Sequence, residues 1–259
     1  MNELVKLDMI EGIARITLNQ PKAYNVFSLD MIQLLSERLI ELAMNKNAGG
    51  VIITGEGKAF CAGADLKWLS GFEKSYGEAF HEMAAKYHQA ILEIRRMPKP
   101  VVAAINGIAA GGGFSMALTC DFRIMEVSAV LHHAYTTNGL SIDGGGTFTL
   151  PRLVGLAKAI EIASFDTPIS SEQALTWGLV TEVVEDGQAV KRAIELINKM
   201  KRLPLSSFAA CKKLITDSFH TSFETQLEKE RETLSWYADH PNGREGIEAF
   251  LEKRKPVYT

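Results

Sequence analysis

The sequence has little of several features that mark specialised classes of protein. Its 259 residues carry a formal net charge of −3, so no basic excess favours a nucleic-acid partner. No apolar run approaches the length of a membrane span. Residues 1–18 are acidic early and alternate in hydropathy, which is unlike a signal peptide. We therefore expect neither a nucleic-acid nor a membrane partner.

Cysteine and metal-ligand clusters are also scarce. Cys61, Cys120 and Cys211 are odd in number and far apart, which is typical of reduced thiols and predicts a cytoplasmic location. His132 and His133 form a lone pair without a third ligand at a metal-like spacing, so the sequence predicts no metal site. The simplest interpretation of this pair is a loop or strand whose two rings point to opposite sides.

Strand and helix patterns alternate along the first two thirds of the chain, and helical patterns dominate from residue 156 onward. This alternation predicts an α/β fold that is closed by a helical C-terminal part. A soft change in composition near Gly187 divides the chain into residues 1–187 and 188–259. The predicted elements are strands 51–54, 101–105, 122–125 and 180–184, a hairpin over 4–18, and helices 29–44, 73–97, 189–201, 206–219, 223–237 and 243–253.

The most informative segment is 99–121, KPVVAAINGIAAGGGFSMALTCD. Its apolar run 101–105 predicts a buried strand, and a glycine-rich loop then enters a helix that starts near Gly111. Consecutive glycines at a helix start leave backbone N–H groups unpaired and uncovered, which attracts negative charge. If that charge develops on a reacting oxygen, the segment is an oxyanion hole. The alternative interpretation is close packing of the helix start on a neighbouring segment.

A serine hydrolase is a competing hypothesis. Residues 113–117, GFSMA, resemble the nucleophile elbow G-x-S-x-G with its last glycine replaced, which would make Ser115 the nucleophile. However, residues 106–110 separate the predicted strand from the helix, whereas an elbow follows its strand directly. This hypothesis requires a histidine within hydrogen-bond reach of Ser115.

The chain resembles the crotonase (enoyl-CoA hydratase/isomerase) superfamily over essentially its whole length. The resemblance rests on NQPKAYN at 19–25, FCAGADL at 60–66, segment 99–121, LPRLVG at 150–155 and AFLEKRKP at 249–256. It implies a ClpP-like spiral of β-β-α units with a helical C-terminal trimerisation region. It also implies a homotrimer or homohexamer and an acyl-CoA thioester substrate. No separate cofactor is implied, since coenzyme A is part of the substrate.

The resemblance also implies roles for individual residues. The two oxyanion donors fall on the backbone N–H groups of Ala64 and Gly112. Lys253, from a neighbouring subunit, would face the nucleotide phosphates. The remaining implied substrate-binding positions, largely backbone contacts for coenzyme A, are Lys22, Ala23, Tyr24, Ala62, Asp65, Leu66 and Phe250.

The positions that determine the reaction depart from those of the family's hydratases. Those enzymes use two glutamates, which fall in register on Ser115 and Tyr135 of this chain. Neither residue is a carboxylate, so hydration by the two-glutamate mechanism is not expected. We expect Ser115 and Tyr135 to line the acyl pocket, with Tyr135 positioning the acyl group or hydrogen-bonding Asp143.

Asp143 is the carboxylate that does occupy a catalytic position of the family. In enoyl-CoA isomerases an aspartate there shuttles a proton, and the resemblance implies the same role for Asp143. In 4-chlorobenzoyl-CoA dehalogenase it is the nucleophile, and a histidine matched here by His88 activates water. Asp143 could instead cap the helix that is predicted near Thr147.

The sequence favours isomerisation with Asp143 as acid and base. The alternatives are dehalogenase-like hydrolysis through Asp143 and His88, a hydratase or decarboxylase of another mechanism, and a catalytically silent acyl-CoA-binding scaffold.

Overall fold

A computed structural model describes residues 3–73 and 75–258 of the chain. Its strands are β1 (Val5–Ile10), β2 (Ile13–Leu18), β3 (Val51–Gly55), β4 (Ala59–Cys61), β5 (Val101–Ile105), β6 (Ile108–Ala110), β7 (Phe122–Glu126), β8 (Val130–His132), β9 (Ile169–Ser170) and β10 (Glu182–Val184). Its helices are α1 (Leu29–Met44), α2 (Leu66–Ser70), α3 (Tyr76–Arg96), α4 (Gly112–Thr119), α5 (Gly146–Val154), α6 (Leu156–Phe165), α7 (Ser171–Thr176), α8 (Ala189–Met200), α9 (Leu205–Asp217), α10 (Phe223–Asp239) and α11 (Pro241–Leu251).

The strands form two sheets that the chain visits alternately. One sheet has the order β1-β2-β3-β5-β7-β10, and the other has the order β4-β6-β8-β9. Strands β3, β5 and β7 each pass directly into a short strand of the second sheet, and helices then return the chain to the first sheet. Apart from the β1–β2 hairpin, the neighbours in the first sheet are parallel. The predicted α/β spiral of β-β-α units is therefore confirmed.

Apolar side chains cover both faces of the six-stranded sheet. The larger core lies against α1, α3 and α4, and a smaller cluster joins the other face to α8 through Ala189, Ala193 and Ile197. Burial of these alternating positions removes apolar surface from water, which stabilises the fold by about 25 cal/mol per Å². The boundary near Gly187 stays a prediction, and α8, which follows it, packs against the sheet.

Several local predictions need correction. The loops predicted after β3 and β5 contain β4 and β6, which are too short to show a periodic pattern. The long helix predicted over 73–97 begins at Tyr76, because Ser75 and Glu78 form a reciprocal capping box. Helix α10 begins after Ser222, whose side chain accepts the bond from the backbone N–H of Thr225. Ser170 and Gln173 form a second capping box at the start of α7.

Helix α9 is tied to the core by a buried ion pair, and α10 and α11 follow it in the C-terminal part of the chain. The Nζ of Lys212 lies 2.8 Å from Oδ2 of Asp121, which also accepts a bond from the backbone N–H of Val101. These helices expose large apolar side chains, including Phe223, Trp236 and Phe250. The homotrimer or homohexamer stays a prediction. Among the described residues, no helix has both the length and the apolar character needed to cross a membrane.

Candidate active site

A cavity of about 720 Å³ lies between helices α2 and α3, the start of α4 and the loop after β8. Its described lining is mainly apolar. Among the described lining residues, Asp143 is the only Asp, Glu, Lys, Arg or His. The predicted site residues Ala62, Ala64, Leu66, Gly112, Tyr135 and Asp143 all line it. The fold therefore brings together residues that are up to 81 positions apart in the sequence, counted from Ala62 to Asp143.

Ala64 and Gly112 both line this cavity, and their backbone N–H groups have no hydrogen-bond acceptor among the described residues. Gly112 is the first residue of α4, so its N–H has no partner within the helix. Ala64 follows Gly63, whose carbonyl accepts a bond from the backbone N–H of Phe27. Two unpaired donors on one wall can stabilise a negatively charged oxygen.

The absence of side chains lets these two segments approach each other. A Cβ on Gly63, where φ is +89°, would lie 3.3 Å from the nitrogen of Gly112. A Cβ on Gly113 would collide with the carbonyl oxygen of Cys61. The packing interpretation of the glycines is therefore confirmed, and the oxyanion role of the same segments stays a prediction.

Asp143 lies on the loop before α5 and is held by a tyrosine. Oη of Tyr135 donates to Oδ1 of Asp143 at 2.6 Å, and Nε2 of His88 lies 3.6 Å from the other carboxylate oxygen. The alternative capping role is not observed, because Gly145 is the N-cap of α5 and no side chain caps that helix. The carboxylate is 37% exposed, which leaves it accessible to a bound molecule.

Tyr135 is a buried phenol whose proton is well held. Burial, together with the negative charge of Asp143, raises the pKa of Tyr135 far above its usual value. It therefore remains a hydrogen-bond donor throughout the neutral range. Because a charge-assisted bond of this kind is strong, Tyr135 fixes the orientation of the Asp143 carboxylate.

The expectation that Ser115 lines the cavity is wrong. Ser115 is fully buried in α4, behind Tyr135, and its Oγ lies 3.4 Å from Oη of that tyrosine. No histidine bonds to Ser115 within the described residues. The geometry that a serine nucleophile needs is therefore missing.

His88 projects from α3 toward the loop that carries Asp143. The backbone N–H of Gly144 donates to its Nε2 at 3.3 Å, so in this arrangement Nε2 is an acceptor. The ring is 49% exposed and reaches Asp143 from the solvent side. His88 does not line the described cavity.

Tyr87 is a site residue that sequence reasoning missed. Its Oη donates to the carbonyl oxygen of Gly112 at 2.5 Å, and its ring leaves no space for a Cβ on Gly144. Tyr87 therefore contacts both the oxyanion donor segment and the turn after Asp143. The only signal in the sequence was one phenol on the apolar face of a long helix. That pattern predicts a core residue as readily as a residue of the site.

The predicted coenzyme A contacts lie on a short 3-10 turn, Pro21–Ala23, and on the segment after β4. The carbonyl of Tyr24 accepts a bond from the N–H of Ala62 at 3.0 Å, which links the two segments. Buried Asn25 holds the turn by accepting from Gln20 and donating to Ala59. Lys22 and Ala23 lie on this turn, where Lys22 is exposed and Ala23 is half-buried.

Asp65 and Leu66 start helix α2. The Asp65 carboxylate accepts bonds from the backbone N–H groups of Lys67 and Trp68, so it is the helix cap. Phe250 and Lys253 lie at the end of α11, exposed and outside the described cavity lining. Their contacts with substrate, and those of the 3-10 turn, stay predictions.

The two adjacent histidines contact the same carboxylate, which contradicts the predicted opposite directions. Nε2 of His132 and Nδ1 of His133 each lie 3.4 Å from Oδ1 of Asp166. Asp166 follows α6 and was not singled out by its sequence pattern. Within residues 3–73 and 75–258, no three His, Cys, Asp or Glu side chains are grouped to hold a metal ion.

Comparisons with known proteins show which family the chain belongs to. A family model described as enoyl-CoA hydratase/isomerase matches residues 8–259. The chain is 32% identical to 1,2-epoxyphenylacetyl-CoA isomerase of Escherichia coli, covering 100% of this chain and 99% of that protein. It is 34% identical to a probable enoyl-CoA hydratase of Rhodobacter capsulatus, with 98% and 97% covered. A crystal structure of an enoyl-CoA hydratase from Polaromonas superposes with a TM-score of 0.93 at 35% identity, covering 98% and 99%.

The family match and these relatives show an enzyme class that acts on acyl-CoA thioesters. The chain belongs to the enoyl-CoA hydratase/isomerase family. The names of its relatives include both isomerases and hydratases, so the family alone leaves the reaction open.

Proposed function

We propose that this protein isomerises the double bond, or a ring, of an acyl-CoA, with Asp143 as the acid and base. The observation that carries this proposal is that a carboxylate and two unpaired backbone N–H donors line the same cavity. Asp143 is the single charged side chain in the described lining, and the free N–H groups of Ala64 and Gly112 lie on the wall formed by the glycine segments. One base and one oxyanion hole are sufficient for a proton shift.

The reaction balances without a further reactant. Asp143 removes a proton from carbon, and the electron pair moves toward the thioester oxygen, which becomes an enolate held by the two N–H groups. The protonated Asp143 then returns the proton to a carbon two positions away, which restores the thioester carbonyl and shifts the double bond. Tyr135 keeps Asp143 aligned in both steps through the 2.6 Å bond.

The cavity wall favours an apolar acyl group. Its described lining includes Phe27, Leu69, Phe80, Met83 and Leu140, which are contributed by several elements. An apolar wall of this kind gains free energy by removing hydrocarbon from water. A charged or strongly polar acyl group would lose hydration there without a paired partner.

The decisive experiment is incubation of the purified protein with a 3-enoyl-CoA in deuterated water, followed by mass spectrometry. We expect 2-enoyl-CoA that carries deuterium, since the shuttled proton exchanges with solvent. Asp143→Asn should lower kcat by about a thousandfold, because general acid-base catalysis is lost. KM should change little, because the amide still accepts the bond from Tyr135.

Two results would contradict the proposal. If Asp143→Asn turned over substrate as fast as the wild type, Asp143 would not be the proton shuttle. If the wild type bound aliphatic and ring-derived acyl-CoA substrates but converted none of them, a catalytically silent scaffold would be favoured. A variant of a distant carboxylate, Glu37→Gln on the exposed face of α1, serves as the control.

Hydrolysis of an aroyl-CoA through Asp143 and His88 is the second candidate. It is supported by the 3.6 Å separation between Nε2 of His88 and Oδ2 of Asp143. In that reaction the Asp143 carboxylate would attack the halogen-bearing ring carbon of a haloaroyl-CoA and displace halide. Water activated by His88 would then cleave the resulting aryl ester, which releases the hydroxyaroyl-CoA and regenerates Asp143. His88→Gln separates the two candidates, because isomerisation does not need His88, whereas hydrolysis would stall as a covalent adduct that is visible in the intact protein mass.

A further inference from the structure

The turn that carries Tyr135 depends on a buried carboxylate outside the cavity. Asp166 is 3% exposed and lies at the C-terminal end of α6. Its Oδ1 accepts from the N–H of Ala134 at 2.5 Å, and its Oδ2 accepts from both the N–H and the hydroxyl of Thr137 at 2.8 Å. The bonded residues Ala134 and Thr137 stand on either side of Tyr135 in the sequence.

These bonds hold a backbone conformation that the sequence does not favour. Ala134 has φ +55°, a left-handed conformation that is unfavourable for a residue with a Cβ. Because Tyr135 follows immediately, its side-chain direction depends on this conformation. Burial opposes ionisation of Asp166, but the bonds from Thr137 and Ala134 hold its pKa below the usual value. The carboxylate is therefore charged at neutral pH, and its bonds are charge-assisted.

The surrounding groups fix the same turn. Nε2 of His132 lies 2.9 Å from the carbonyl oxygen of Asp166, and the hydroxyl of Thr136 donates to the carbonyl of Ala163. The ring of buried His133 packs edge-on against the ring of Tyr135, with centroids 5.1 Å apart. The end of α6 thus supports the whole turn between β8 and Gly139.

We propose that Asp166 is a positioning residue for the reaction: it holds the turn that carries Tyr135, and Tyr135 in turn orients the Asp143 carboxylate. The proposal rests on the proposed function, because it assigns Asp166 an effect on proton transfer at Asp143. Asp166 does not itself line the described cavity, and it reaches the lining only through its bond to Ala134.

The test is a double-mutant cycle of Asp166→Gly and Tyr135→Phe, assayed with the 3-enoyl-CoA. Glycine tolerates the φ of +47° at this position, so the variant removes the carboxylate without adding backbone strain. We expect kcat to fall about ten- to a hundredfold with KM within about twofold, as expected for a misplaced catalytic group. In the Tyr135→Phe background the same substitution should lower kcat by no more than about twofold, because coupled residues are not additive.

Two further variants complete the experiment. Asp166→Asn keeps one acceptor and should have an intermediate kcat, which also keeps the test valid if the glycine variant folds poorly. Glu161→Gln removes another carboxylate from α6, where Glu161 pairs with Lys158 on the surface, and should leave kcat unchanged. An equal loss in both backgrounds, or no loss at all, would overturn the proposal.

A crystal structure of Asp166→Gly separates failure of this inference from failure of the proposed function. We expect Tyr135 Oη to leave Asp143 in that variant. If the bond persists at 2.6 Å, Asp166 does not position Tyr135, whatever reaction the protein catalyses. If the wild type converts no enoyl-CoA but the bond is lost, the proposed function fails while the structural link stands.

Discussion

The two cavity walls that carry the proposed catalytic groups are built in different ways. The oxyanion wall consists of backbone N–H groups, and its position is fixed by glycine segments that pack without side chains between them. The opposite wall consists of side chains, in which Asp143 is 37% exposed and aligned by one strong hydrogen bond. A backbone wall can be displaced only by disturbing the fold, whereas a side-chain wall can be weakened in steps.

Gly113→Ala should break the oxyanion wall and have the largest effect. The added Cβ would meet the carbonyl of Cys61, so the two donor segments must move apart. Loss of one donor typically lowers the rate about a hundred- to a thousandfold. Steady-state kinetics on folded protein measures this effect, and Gly71→Ala, whose Cβ would be 3.7 Å from its nearest neighbour, is the control. Wild-type kcat in Gly113→Ala would contradict the assignment.

Tyr135→Phe should weaken the side-chain wall by about ten- to a hundredfold in kcat, with little change in KM. The substitution removes a bond to a charged group, which contributes about 1.5–3 kcal/mol. Ser115→Ala is the matched control, because it removes the other hydroxyl near Tyr135 and leaves the Asp143 bond intact. If Ser115→Ala had the larger effect, Tyr135 would not act through Asp143.

Tyr87→Phe should loosen the oxyanion wall without breaking it. Tyr87 donates to the carbonyl of Gly112, so its loss frees the peptide but leaves the glycine packing in place. We expect kcat to fall by about three- to tenfold, corresponding to about 1 kcal/mol for a neutral hydrogen bond. Kinetics at saturating substrate measures this change, which should be smaller than that of Gly113→Ala.

Alkaline unfolding should show a small effect that belongs to the oxyanion wall. Burial raises the pKa of the Cys61 thiol from 9.0 to about 12. Because the folded pKa is the higher one, this contribution is complete below pH 9 and is lost as the pH rises toward 12. Each such thiol makes the free energy of unfolding fall by about 1.4 kcal/mol per pH unit in that window.

Urea unfolding between pH 9 and 10.5 measures this slope. Cys61→Ala should reduce the slope by up to about 1.4 kcal/mol per pH unit, the value for one proton. Cys211→Ala, which removes an exposed thiol, is the control. An unchanged slope in Cys61→Ala would show that this thiol ionises normally in the folded protein. Cys120 is a second buried thiol and contributes equally to both variants.

The sequence predicts the backbone wall better than the side-chain wall. Segment 99–121 combines a buried strand, glycines and a helix start, so local patterns predict unpaired N–H groups at the start of α4, and the family resemblance assigns the donor to Gly112. Asp143 could be placed only by its register with a family. For Tyr135 the sequence left two expectations, contact with the acyl group or a hydrogen bond to Asp143. It could not choose between them, because no periodic pattern reports the direction of a side chain on an irregular turn.

Contacts between distant elements account for what sequence reasoning missed. The sequence pattern predicts only a core residue of α3 for Tyr87 and only a helix end for Asp166. Their hydrogen-bond partners are distant in the sequence: Gly112 lies 25 residues from Tyr87, and Ala134 lies 32 residues from Asp166. The short strands β4 and β6 are likewise defined by pairing rather than by pattern. Ser115 was misplaced because a position matched to a catalytic residue need not reach the cavity.

The difference among the three thiols has a practical consequence. Cys61 and Cys120 are buried, while Cys211 is exposed on helix α9, far along the chain from the proposed catalytic residues. A maleimide dye should therefore label the folded chain at a single native position. Energy transfer between donor- and acceptor-labelled chains would then count subunits and follow their exchange without any engineered cysteine.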